Sequence, residues 1–514
     1  MAEFKAGVAS GHSLVTQAAW QVMSEGGNAF DAAVAAGFVG AVAEPALTSL
    51  GGGGFLLARP ADSPEILFDF FVDTPGKGLA AKSFNPHFFP VTVEFPGSSQ
   101  VFNIGLGSVA VPGNLKGLLH VHSRLGRMDL ADVLAPAEAY ARDGVRLNSH
   151  QAYFLSLLEP IMLFSDYGKE IFSPDGQYLQ EGQVLRNPEL AEFLRELGRS
   201  NGQLAQEFYR GDIARRIVSD MVNGGGLLTM EDLESFQVME REPLQVKFCG
   251  YELLTNPPPS FGGFYVAVTL ELLDMPGFNG CDWGDGRHLC LLGKAMQLVE
   301  DYREKTETVL RKPGHNWFEQ AADELRPCFS RGTTHVSICD SMGNMASMTT
   351  SNGEGSGYFV PGTGIMLNNM MGEDDLHPGG FHSSPPGIRV GSMMSPSIIK
   401  KDGCPHMVLG SGGSKRIRTA LAQVMINRLC FNLPLQDAIN RPRIHWDGEI
   451  FQVESGFPDG SLDKFARVFP VNVWQDIDVY FGGVHAVDPV AGDAAGDPRR
   501  GGFALSQQDG PGIP

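Results

Sequence analysis

Gly332-Thr333-Thr334-His335-Val336-Ser337-Ile338-Cys339-Asp340-Ser341-Met342-Gly343-Asn344-Met345-Ala346-Ser347-Met348-Thr349-Thr350 is the stretch whose reading decides the fold. Two β-rich alternating runs, 334–339 and 345–350, flank a turn of Asp, Ser, Gly and Asn, which predicts a hairpin. Short strands over 365–368, 395–399 and 406–409 follow, each bounded by Gly or Pro. Upstream the pattern is helical. Asn28 reads as the N-cap of an Ala-rich helix with Asp31 in its first turn and Pro45 beyond its end. Residues 187–197 and 287–302 carry apolar side chains at spacings of three and four. Helices in the first part and strands clustered after 330 predict an α+β chain, a layered αββα body. The Gly/Asp/Pro-rich stretch 492–502 predicts a frayed tail after Gly502.

The chain has 514 residues, 43% hydrophobic and 19% charged, the composition of a large globular protein. Its 39 basic and 59 acidic residues give a formal charge of −20, which repels phosphate backbones and anionic lipid, so no nucleic acid is expected. Residues 1–10 lack a basic region leading into an apolar run, and the run 29–43 is too short to span a bilayer, so no membrane association is expected. The seven cysteines are scattered without C-x-x-C spacing, which favours reduced thiols and a cytoplasmic location.

Three patterns invite other chemistry and do not sustain it. Gly198-Arg199-Ser200-Asn201-Gly202 matches the nucleophile elbow of serine hydrolases, but a helix precedes it where a strand is needed, so Gly198 reads as a helix C-cap. Gly51–Gly54 and Gly410-Ser411-Gly412-Gly413-Ser414 lack phosphate-loop spacing. His377 and His382 lie in a Pro/Gly loop rather than on one helical face, so no metal and no cofactor are implied.

Thr333 is where chemistry concentrates. A threonine hydroxyl needs a nearby base, and the α-amine of the same residue supplies one when that residue becomes a chain terminus. Such an amine titrates at about 7.7–8.0, so much of it is neutral near physiological pH. The β-branch restricts χ1 and holds the oxygen in few orientations. Gly332 permits a backbone form that a bulkier residue would resist, consistent with attack of the Thr333 hydroxyl on its own preceding carbonyl.

Neighbouring motifs add to this. Gly332-Thr333-Thr334-His335-x-Ser337 is followed in order by Asp340-x-x-Gly343-Asn344, Gly364-Ile-Met-Leu-Asn368-Asn369, Ser392-Met-Met-Ser395-Pro396 and Gly412-Gly413-Ser414. Before them come Gly26-Gly27-Asn28-Ala-x-Asp31, Gly51–Gly54, Val111-Pro112-Gly113, Thr229-x-Glu-Asp232-Leu and Pro257-Pro-Pro-Ser260-x-Gly262-Gly263, and after them Asn440-Arg-Pro442-Arg443 and Asp497-Pro-Arg499-Arg500-Gly501. Over nearly its whole length the chain closely resembles the gamma-glutamyltransferase family of N-terminal-nucleophile hydrolases. The resemblance implies a four-layer αββα sandwich and a precursor that cuts itself between Gly332 and Thr333 into 1–332 and 333–514, a heterodimer of its own fragments open to higher assembly. It implies that Thr333 attacks a small-molecule amide. It further implies an oxyanion hole from the backbone N–H groups of Gly412 and Gly413, and hydroxyls of Thr349 and Ser351 supporting the nucleophile.

The donor pocket departs from that pattern. The family grips a γ-glutamyl α-carboxylate with an arginine and two adjacent serines. Here the arginine position falls near Ala80, so a lysine such as Lys77 would have to substitute without the bidentate fork. The serine pair becomes Ser392-Met393, the glutamine after Asn368-Asn369 becomes Met370, and the acidic residue is Glu373. The stretch 373–392 is shorter than the family's lid-bearing segment, which favours hydrolysis over transfer. Cleavage of glutathione-like γ-glutamyl amides is the leading expectation. Alternatives are an amidase similar to cephalosporin acylases or oxamate amidohydrolases, or an unprocessed, non-catalytic scaffold.

Overall fold

The computed structural model describes residues 4–80, 86–95, 98–274, 277–278, 280–307, 332–373, 376–377 and 380–508. Lys82, Cys328 and part of the 373–392 stretch lie outside them. The expected hairpin is present as Thr334–Cys339 and Met345–Ser351. Its turn is organised by Asp340, whose Oδ1 accepts from the amides of Met342 and Asn344 at 3.0 Å each and whose Oδ2 accepts from Asn344 Nδ2 at 2.7 Å. The same Oδ2 accepts from the amide of Ala29 at 3.0 Å, tying the turn to a helix start where an unpaired donor needs a partner.

Numbered along the chain, the strands of the two main sheets are β1 (Gly7–Ser10), β2 (Gly53–Arg59), β3 (Ile66–Phe70), β4 (Met239–Arg241), β5 (Leu244–Phe248), β6 (Tyr251–Thr255), β7 (Thr334–Cys339), β8 (Met345–Ser351), β9 (Ser397–Lys401), β10 (Cys404–Gly412), β11 (Gly483–Asp488), β12 (Asp493–Ala495) and β13 (Phe503–Ser506). The first sheet runs β13-β1-β7-β8-β2-β3-β4 and the second β12-β11-β10-β9-β6-β5, with antiparallel pairing throughout. Both sheets mix strands from either side of Gly332. Side chains alternate across the first sheet as the pleat requires. Val336, Ile338, Leu56 and Ala58 join the core under one helix layer, whereas Phe55, Leu57 and Cys339 join the core between the sheets.

Helices α1 (Ser13–Ser24), α2 (Ala29–Ala43), α3 (Asn114–Leu125) and α4 (Leu130–Asp143) form the layer on the first sheet. The start of α2 is fixed by a capping box in which Asn28 Oδ1 accepts from Asp31 N at 2.9 Å and Asp31 Oδ2 accepts from Asn28 N at 3.0 Å. All 15 residues of α2 are buried, which its Ala, Gly and Val content permits because small side chains let helices approach closely. Helices α5 (Phe261–Asp274), α6 (Gly286–Glu307) and α7 (Arg416–Leu429) cover the second sheet, completing the αββα sandwich.

Two expectations are corrected. Phe503–Ser506 does not fray: it pairs with Gly7–Ser10, a strand too short to announce itself in the sequence. Gly198 is not a cap but sits inside the helix Pro188–Arg199, and the left-handed residues of the turn are Asn201 and Gly202, at φ 47 and 80. The first part of the chain, beyond its helices, supplies four strands of the first sheet and two of the second.

Candidate active site

Gly332 and Thr333 lie just before β7, at the end of the first sheet where β8 finishes with Ser351. Alternation carries Thr333 to the side of His335, toward the second sheet. Ser351 Oγ donates to the carbonyl of Gly332 and accepts from the amide of Gly353 at 3.0 Å. The carbonyl ahead of Thr333 is thus already polarised by a hydroxyl whose orientation a backbone amide fixes. Gly332 is required by space rather than by a left-handed φ, because a Cβ there would lie 1.7 Å from the carbonyl oxygen of Gly353. The Gly51–Gly54 run serves the same corner: a Cβ on Gly52 would meet Ser351 O at 2.1 Å, and one on Gly54 would meet Thr349 O at 2.6 Å. These glycines let β8 press against β2.

From the other sheet, β10 ends in Gly412, where a Cβ would lie 2.4 Å from the Thr333 carbonyl oxygen. Gly413 follows at φ 125. The structure therefore brings Gly412 against Thr333, with Gly413 next to it at the start of the turn into α7. Arg500 Nη1 donates to the Thr333 carbonyl at 3.1 Å. Arg500 is presented by a buried ionic network. Asp497 accepts from Arg443 Nη2 at 2.5 Å and from Arg499 Nη1 at 3.2 Å, and Arg499 donates to Glu454 at 2.7 and 2.5 Å. Burial alone would raise the Asp497 pKa, but Arg443 and Arg499 overrule it and hold the carboxyl at about 2. The Asn440–Arg443 and Asp497–Gly501 motifs thus meet behind Thr333. Sequence reasoning assigned Arg500 no role, although the Asp-Pro-Arg-Arg-Gly motif was the available signal.

Thr334 faces the helix layer, where its Oγ1 donates to Glu44 Oε2 at 3.0 Å. Burial raises the Glu44 carboxyl to about 7, against the opposing pull of the Thr334 hydrogen bond and the Arg500 charge. Glu44 also went unrecognised in the sequence, since a single acidic residue after an Ala-rich helix carries no motif. A cavity lined by His12, Glu44, His150, Gln151, Phe154 and Arg500 opens beside it.

Thr349 lies on the same face of β8 as Ser351, and its Oγ1 is 2.8 Å from His335 Nδ1. Ser337 donates to the carbonyl of His485 at 3.0 Å, so its oxygen is left to accept from His335 Nε2 at 2.9 Å. Burial, with His485 adding to it, lowers the His335 pKa well below the usual imidazole range. The ring is neutral with its proton on Nε2, so Nδ1 accepts from Thr349. That chain braces β7 against β8 and β11, and a Cβ on Gly410 would collide with the imidazole at 2.1 Å.

The expected substrate contacts divide. Glu373 and Asn369 are buried beside Gly353, whose hypothetical Cβ would sit 2.2 Å from Glu373 Oε1 and 2.1 Å from Asn369 Oδ1. Asn369 Oδ1 accepts from the amides of Glu354 and Gly355 at 2.9 and 3.2 Å, shaping the loop. Ser392 Oγ accepts from Met394 N at 3.1 Å, and its carbonyl accepts from Ser260 Oγ at 3.0 Å and Phe261 N at 2.8 Å, which accounts for the Pro-Pro-Ser-x-Gly-Gly motif. Lys77 Nζ is engaged by Ser235 Oγ at 2.6 Å. Nothing links it to Thr333 among the described residues.

The sequence matches the family described as Gamma-glutamyltranspeptidase over residues 15–308 and 304–506. A glutathione hydrolase proenzyme of Escherichia coli (strain K12) is 31% identical over 496 residues, spanning 88% of this chain and 83% of that protein. An acylase ACY 1 proenzyme of Pseudomonas sp. (strain V22) is 30% identical over 474 residues, spanning 88% and 84%. The crystal structure of a cephalosporin acylase from Bacillus halodurans superposes with a TM-score of 0.81 at 25% identity, covering 98% of this chain and 96% of the other. Among the described residues no helix is long and apolar enough to cross a membrane.

Proposed function

Because the chain belongs to the gamma-glutamyltranspeptidase family, we propose that it is a proenzyme that cleaves itself between Gly332 and Thr333 and then hydrolyses γ-glutamyl amides through an acyl-enzyme on Thr333. In processing, the Thr333 hydroxyl attacks the Gly332 carbonyl carbon while Ser351 donates to the oxygen that gains charge. Collapse of that adduct breaks the Gly332–Thr333 C–N bond, which frees the Thr333 amine and leaves Gly332 as an ester on the Thr333 oxygen; water then hydrolyses the ester, releasing the Gly332 carboxylate and the Thr333 hydroxyl. That amine then accepts the hydroxyl proton as Thr333 attacks an amide, with Gly412 and Gly413 flanking the developing oxyanion and Arg500 anchoring the Thr333 carbonyl. The observation that carries this reading is the Gly332 carbonyl held by Ser351 Oγ, with Gly412 packed against the carbonyl of Thr333. The test is a denaturing gel of purified protein: two fragments are expected, and Thr333→Ala should give one intact chain. An intact parent that is nonetheless active would overturn it.

A second reading, an acylase for acyl chains lacking the α-amine, is favoured by Met370, buried where the family has a glutamine. A γ-glutamyl anilide and a glutaryl anilide, which differ only by the α-amine, separate the two. If Glu373 pairs with the amine, Glu373→Gln lowers kcat/KM for the first substrate and spares the second. Preference of the parent for the glutaryl compound would establish the acylase reading instead.

A further inference from the structure

We infer that Cys249 and Cys430 are a disulfide-forming pair that tethers the segment before Gly332 to the segment after it. Their Sγ atoms lie 2.9 Å apart. A disulfide needs about 2.05 Å, so closing the gap takes a sub-ångström movement. All six described cysteines are free thiols, and among the described residues only Cys249 and Cys430 bring their sulfurs into contact.

The pair sits where each backbone is fixed. Cys249-Gly250 is the two-residue turn between β5 and β6, with Phe248 opposite Tyr251. Both turn residues have positive φ, 49 and 79, as a type I′ hairpin requires. Asn or Gly is the ordinary occupant of the first position, and cysteine bears a steric cost there. The Cys249 amide donates to Asp274 Oδ1 at 3.0 Å, at the end of α5, which holds the turn. Cys430 is the C-cap residue of α7, its amide donating to Ile426 O at 2.9 Å. α7 begins just after Gly412-Gly413, so the tether would anchor the far end of the helix that follows the oxyanion loop.

The oxidant is a low-molecular-weight disulfide, RSSR. Exposed Cys249 enters first: its thiolate attacks one sulfur, forming a mixed disulfide and expelling RS⁻. Cys430 then attacks the Cys249 sulfur, forming the intramolecular bond and expelling the second RS⁻. The two cysteines lose two electrons and two protons, and RSSR becomes two RSH.

The bond itself stands without processing, whereas its joining of separate fragments rests on cleavage at Gly332. The parent is treated with glutathione disulfide, its remaining thiols are alkylated, and it is run with and without reductant. One band at full length without reductant and two fragments with it are expected, and Cys249→Ser and Cys430→Ser should each give two fragments in both lanes. Cys404→Ser, an exposed thiol outside the pair, should behave as the parent. If both lanes show one intact chain, cleavage has failed and the pair is decided by mass spectrometry of a proteolytic digest. There the peptides of Cys249 and Cys430 should be joined with loss of two hydrogens. Fragments that separate without reductant, or single glutathione adducts with no joined peptide, would overturn the inference.

Discussion

Ser351→Ala should trap the precursor. Ser351 is 5% exposed, and its hydroxyl is the donor that the Gly332 carbonyl meets, itself oriented by the Gly353 amide at 3.0 Å. As the tetrahedral adduct forms, that carbonyl oxygen gains charge, and one such preorganised donor contributes ~2.7–4 kcal/mol in the transition state. At 1.36 kcal/mol per decade this corresponds to self-cleavage slowed roughly 10²- to 10³-fold. The orphaned Gly353 amide adds about 1–3 kcal/mol of destabilisation, which leaves a folded protein with a lower Tm. The assay is the disappearance of the 55.4 kDa chain on denaturing gels after purification, with circular dichroism to establish folding. Ser351→Thr retains the donor and should process far faster than the alanine variant. A folded Ser351→Ala protein that matures at the parent's rate would refute the assigned role of this hydroxyl.

Gly332→Ala should also accumulate as precursor on the same gel, because the added Cβ would fall 1.7 Å from Gly353 O and push the peptide bond away from Ser351. Arg500→Lys removes the 3.1 Å contact to the Thr333 carbonyl; loss of a charge-assisted hydrogen bond of ~1.5–3 kcal/mol predicts roughly 10- to 150-fold lower kcat/KM in processed enzyme. For Glu44 the folded pKa, about 7, lies above the ordinary 4.5, so the folded state binds the extra proton between those values and stability falls as pH rises through them. The loss is of the order of 3 kcal/mol, complete above pH 7, and urea unfolding of Glu44→Gln should show that slope flattened. The opposite sign applies at Asp497, whose pKa is depressed to about 2: its stabilisation is present above the ordinary 3.8 and disappears as pH falls toward 2, which an acid titration of Asp497→Asn should lack.

The hairpin was legible because Asp340, Gly343 and Asn344 encode their turn locally, and α2 because Asn28 and Asp31 form a box three residues apart. Thr333 as the proposed nucleophile came from motif order. What escaped are contacts between distant positions. Arg500 meets Thr333 across 167 residues and Glu44 meets Thr334 across 290, distances at which no periodicity operates. Thr349 and Ser351 share a strand face, so sequence could place both near Thr333 but could not reveal that His335 takes the first hydroxyl. Lys77 was assigned from its place near the family's arginine position, and its hydrogen bond to Ser235 Oγ spans 158 residues, which the sequence could not announce. Strands β1 and β13 were too short to signal themselves and exist because each completes the other's ladder.

The strand order of the first sheet has a kinetic corollary. β1 lies between β13 and β7, and the β7–β8 hairpin lies between β1 and β2, so pieces produced by a cut at Gly332 would be interleaved like the fingers of two hands. Neither would keep a complete sheet on its own. Unfolding the nicked molecule should therefore release two chains that must find each other again, making renaturation second order and dependent on dilution, whereas an uncut Thr333→Ala chain should refold in a first-order process.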